Sequence, residues 1–104
     1  MKKSLLVVAA TALVGLSGPA LAHGNVSCGG GPRSGWKSVA ELTRTLTAQG
    51  WKVRKAQAEK DCYEVYGTTP QGERVEAFFH PATFKKMMVL RRGQMLFMAP
   101  EMKM

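Results

Sequence analysis

At 104 residues the chain has room for one small domain, and a composition 45% hydrophobic and 21% charged excludes a disordered polyampholyte. Fifteen lysines and arginines against seven acids give a net charge of +8, but no nucleic-acid-binding motif accompanies them. So short a chain encloses little cavity, which argues against an enzyme.

Met1-Lys2-Lys3-Ser4 is a short basic start, and Leu5 to Gly18 is almost wholly apolar or small. Pro19-Ala20-Leu21-Ala22 then sets small residues at the positions a signal peptidase reads, so a secretory leader cut after Ala22 is expected. The apolar run is shorter than the roughly 20 residues a membrane span needs, so no anchor is expected after cleavage. The leader carries two of the basic residues and none of the acids, so the mature net charge falls to +6. A periplasmic or secreted bacterial protein is the expectation. There a basic surface meets an envelope protein or an anionic envelope component rather than nucleic acid.

Residues 23–35 are rich in Gly, Ser and Pro and read as an extended arm. Ser38-Val39-Ala40-Glu41 fits a capping box, and Trp36, Val39, Ala40, Leu42 and Leu46 share one face at helical spacing. This predicts a helix from Trp36 to Gln49, stopped by Gly50. Trp51 to Lys55 alternates as a strand that runs on towards Glu59, with Trp51 and Val53 inward. Asp61 to Gly67 and Glu73 to Phe79 alternate as a hairpin about Thr68-Thr69-Pro70-Gln71-Gly72. Val65 is expected opposite Val75, which sets Tyr63 against Ala77 and Glu64 against Glu76 on a charged, solvated face.

His80-Pro81-Ala82-Thr83 reads as a turn. Lys86 to Arg91 and Met95 to Met98 read as two further strands about an Arg91-Arg92-Gly93-Gln94 turn, with a helix over 83–98 as the rival. Residues 99–104 are expected to be a flexible tail. The expected fold is α+β: one N-terminal helix packed on a small antiparallel sheet of three to five strands, spanning residues 36–98. Cys28 and Cys62, the only two cysteines, form a disulfide by default in an oxidising compartment.

The order Trp36, Leu42, Leu46, Gly50-Trp51-Lys52-Val53, then Cys62-Tyr63-Glu64-Val65-Tyr66, then Gly72-Glu73-Arg74-Val75-Glu76-Ala77-Phe78 resembles the PepSY domain family. There a helix precedes strands that carry a Tyr-Glu-Val run, a turn with Gly, and an Asp-Pro-x-Thr-Gly-like turn. In His80-Pro81-Ala82-Thr83-Phe84 the Pro and Thr match, while the first acid and the last Gly do not. The resemblance spans Trp36 to Leu90. It implies a small helix-on-sheet module of the kind found in metalloprotease propeptides and exported bacterial proteins. Such a module binds or restrains a partner, and the resemblance brings no catalytic residues with it.

Two site sets compete. Lys52, Arg54, Tyr66, Arg74, Phe78 and Lys86 would give an aromatic and cationic partner surface on the outer sheet face, or an ordinary solvated one. Alternatively, cleavage after Ala22 leaves His23 first, and its amine and imidazole with His80 and the thioethers of Met95 and Met98 would suit copper. The simpler account of the methionines is core filling beside Val89, Leu90, Leu96 and Phe97. No cofactor is otherwise implied. Nucleophilic catalysis lacks an oriented base, since both cysteines are expected to be bonded and His80 has no evident acid partner.

Overall fold

The computed structural model describes residues 26–103; the leader, His23 and Met104 lie outside the described residues. Helix α1 (Val39–Ala48) is followed by β1 (Lys52–Glu59), β2 (Cys62–Thr68), β3 (Arg74–Phe79), β4 (Lys86–Arg91) and β5 (Gln94–Met98). The strands form one antiparallel meander in chain order, so the expected α+β fold is observed with five strands.

The helix starts as its sequence dictates, with Ser38 Oγ accepting the Glu41 N–H at 3.0 Å. It is shorter than expected at its start because Arg33–Gly35 makes a 3-10 turn and Trp36 is extended. Leu42 and Leu46 are its buried residues, and Ala40 is exposed. They pack with Trp51, Tyr63, Val65, Ala77 and Phe79 to make one core. Tyr63 ties that core to the helix approach by donating its hydroxyl to the Lys37 carbonyl at 2.6 Å.

The hairpin register differs from expectation by two residues: Val65 faces Ala77, Gly67 faces Val75, Tyr63 faces Phe79, and Glu64 faces Phe78. The reason is the turn, which runs Thr69 to Glu73. Thr69 N–H donates to Glu73 O at 2.8 Å and Gly72 N–H to Thr69 O at 2.9 Å. A shift of two keeps every side chain on its expected face. Across the sheet, β1 bulges between Val53 and Lys55 and comes so near Gly67 that a Cβ there would lie 2.5 Å from Lys52 O. Only glycine fits.

The face away from the helix is not the open, charged surface that alternation predicts. The arm brings Val26 and Cys28, and the tail brings Ala99 and Met102, over Cys62, Phe78, Met87, Met88 and Leu90 as a second core. Residues 99–103 therefore pack instead of fraying: Ala99 N–H donates to Met87 O at 2.8 Å, and Ser27 and Lys103 pair through both backbone groups. The Cys28–Cys62 disulfide fixes the arm, with Cα atoms 5.3 Å apart. Beside it, Asp61 accepts Ser27 Oγ and the backbone N–H groups of Cys28, Gly29 and Gly30, all within 3.1 Å. Burial pushes the Asp61 carboxyl up, but these hydrogen bonds outweigh it and hold the group below its ordinary value.

Candidate functional site

A ten-residue helix about 10 Å across cannot cover a five-stranded sheet about 19 Å wide. It packs most closely with β1 and buries Val89 of β4, which leaves the helix-bearing side of β5 and the Lys86 end of β4 open. Two clefts meet there at Trp51 and Lys86. One, of about 410 Å³, runs beside the helix between Leu46, Phe79 and Phe84. The other, of about 330 Å³, lies between Pro70 and Val89, Leu96 and Phe97. Trp51 forms the floor between them, its ring edge-on to Phe79 at 5.9 Å between centroids.

The open side of this groove is β5, which has no strand on its outer side among the described residues. Its Met95, Leu96, Phe97 and Met98 are 42, 46, 40 and 43% exposed, and they are the exposed large hydrophobics among the described residues. Met98 faces Met88, Phe97 faces Val89 and Met95 faces Leu90, so Leu96 is an extra residue in the ladder. That bulge sets Leu96 beside Phe97 on the groove side. Met95 and Met98 instead sit by Leu90 and Met88 on the other face. The opposite sheet edge contrasts with this one. There β1 carries Lys52, Arg54, Lys55 and Glu59, and such charges keep an edge from accepting another strand.

Cations gather where β5 begins. Arg74, Arg91 and Arg92 line a cleft of about 510 Å³ with Glu73 and Gln94. Arg91 bonds Glu73 at 2.9 Å. At the other end Lys85 pairs with Glu101, and the Lys86 ammonium lies 5.1 Å from the Phe97 ring centre.

Of the sequence-predicted surface, Lys52, Arg54 and Arg74 share one shallow cleft, and Arg54, Tyr66 and Arg74 share another with Glu76 and Arg92. Lys86 is not with them, since it lines the groove on the helix side. Phe78 is fully buried, because the arm and tail cover it, and cannot belong to a partner surface. Tyr66 donates its hydroxyl to Glu64 Oε2 at 2.9 Å, with Glu76 Oε2 3.4 Å away, and the Lys55 ammonium lies over its ring. Glu64, expected in solvent, is only 4% exposed, and Gln57 Nε2 donates to it at 3.2 Å. Burial, the hydrogen bond with Glu64 and the Glu64 charge push the Glu76 carboxyl up to about 8. The same carboxylates, after burial, hold the Tyr66 hydroxyl well above its ordinary value.

Of the expected copper ligands, the structure describes His80, Met95 and Met98, and they do not all share one element of the fold. His80 Nδ1 accepts the Ala82 N–H at 3.1 Å, which leaves Nε2 to donate to Gly29 O at 3.2 Å. Both ring nitrogens are thus occupied by the fold. Met95 and Met98 sit on the β5 edge, and His23 lies outside the described residues. No group of three or more His, Cys, Asp or Glu among the described residues could hold a metal ion. No helix among them is long and apolar enough to cross a membrane.

Sequence reasoning missed Trp51, Leu96 and Phe97 as site residues by assigning them to the core. The available signal was a final strand with no charge in its five residues. A family model described as the peptidase propeptide and YPEB domain matches residues 6–88, which takes in α1 to β3 and ends inside β4. No curated protein and no solved structure matches the chain.

Proposed function

Since the chain belongs to the PepSY_2 family of peptidase propeptide and YPEB domains, a non-catalytic class, we propose that it acts outside the cytoplasm by holding an extended segment of a partner protein along β5. The observation that carries this reading is the difference between the two sheet edges. One is charged, and the other presents four exposed apolar side chains beside a groove. An added strand would hydrogen-bond to the outer backbone of β5 and gain specificity from side chains that alternate between the faces. A bilayer surface fits less well. Leu96 and Phe97 project to one sheet face and Met95 and Met98 to the other, so no single plane receives all four.

Location outside the cytoplasm is supported by the basic, apolar and small-residue order of the first 22 residues and by the Cys28–Cys62 disulfide. N-terminal sequencing of the exported protein should begin at His23. The binding reading is tested in intact cells with a photo-crosslinking amino acid at position 96 or, on the opposite edge, at position 55. A discrete adduct from position 96 and none from position 55 is expected. Equal labelling from both edges, or labelling from β1 alone, would remove the assignment to β5.

A further inference from the structure

Resting on that reading, we infer that the segment held along β5 is acidic at the end that lies against the β4–β5 turn, with apolar residues ahead of it to enter the groove. Ion pairs within the fold account for Arg91, which is bonded to Glu73, and Lys85, which is bonded to Glu101. Arg74 and Arg92 make no ion pair among the described residues, yet both line the cleft in which β5 begins. Lys86 borders the groove farther along, its ammonium against Phe97. β5 itself, Gln94-Met95-Leu96-Phe97-Met98, has no acid to neutralise them. A bound strand therefore finds an apolar centre with positive charge beyond it, and carboxylates at its end complete the match.

The same charges argue against a second copy as the occupant. Two β5 strands paired antiparallel about Leu96 would bring the Arg91-Arg92 turn of each copy towards the Lys85-Lys86 end of the other. Cations would meet cations at both ends of the shared edge, and the whole chain is already strongly positive. Like charges across a strand pair destabilise it, whereas an acidic segment relieves the repulsion.

The test uses the disulfide-bonded mature protein and three fluorescent twelve-residue peptides. They share a Val-Thr-Val-Thr-Val centre and end in Glu, Ser or Lys residues. Anisotropy at low salt should show the Glu peptide binding about ten-fold more tightly than the Lys peptide, with the gap shrinking as salt screens the charges. Arg92→Glu combined with Arg74→Glu should erase or reverse that order. Leu96→Glu should abolish binding of all three, with thermal melting used to confirm that each variant is folded. If the three peptides bind alike and Leu96→Glu abolishes all, the edge reading stands and the acidic preference is refuted. If no peptide binds, strand addition itself is refuted, whether the protein then proves to bind anionic vesicles or to sediment as a dimer that Leu96→Glu dissociates.

Discussion

Glu64 and Glu76 show how a side chain's surroundings, more than its type, set its chemistry. They are diagonal across the β2–β3 pair, with Tyr66 opposite Glu76. The Glu76 carboxyl is pushed from an ordinary 4.5 up to about 8 by burial and by Glu64. The folded chain therefore keeps a proton that the unfolded chain releases above about 4.5. Stability from this group is complete below that value and is lost as pH rises through about 8. Thermal melting should show the midpoint falling across this window, and Glu76→Gln should flatten the fall by removing the titrating group. Asp61 acts with the opposite sign. Its pKa is lowered, so its contribution is present above the ordinary 3.8 and is lost as pH falls through the lower folded value. The burial of Glu64 was not legible in the sequence. A charged residue in alternation reads as solvent-facing, whereas this one is held by Gln57 of one neighbouring strand and Tyr66 of its own.

At the scale of elements, local signals that agree were legible and those that conflict were not. Ser38 caps the helix and the alternation in β2 and β3 survives in the fold, so these elements appear where expected. In β5 the bulge at Leu96 puts two neighbours on one side, which destroys the period-2 pattern and leaves Met95-Leu96-Phe97-Met98 looking as much like a helix as a strand. The tail was misread for another reason. Pro100, Glu101 and Lys103 are polar or helix-breaking, and only Ala99 and Met102 carry the burial. Two residues form no detectable pattern. Their weight is nevertheless measurable: Met102→Ala should cost about 2–4 kcal/mol in urea unfolding, since it opens a cavity over Phe78 and Met87. A cost near zero would mean that the tail does not seal this face.

For the whole molecule, the two cores on opposite sheet faces hold together differently. One has a helix as its lid. The other is roofed by irregular chain, which brings little regular hydrogen bonding and depends on its attachments. The Cys28–Cys62 link, closing 34 positions of chain, should contribute about 3–4 kcal/mol through the unfolded state. Adding reductant should lower the urea midpoint accordingly. It should also expose Met87 and Met88 to oxidation before Leu42 and its neighbours lose protection in hydrogen exchange. The fold class and the disulfide were legible because a short length and just two cysteines constrain a small domain strongly. The groove was not, because it arises from the mismatch in width between helix and sheet.

The backbone pairing of Ser27 with Lys103 also determines how this module behaves under load. Both ends of the described chain leave together from the face away from the groove. Anchored by either end, the molecule turns the groove side of its sheet away from the mooring. Tension applied between the ends meets the Ser27–Lys103 pair first, so the β5 edge carries no force until that clasp has parted.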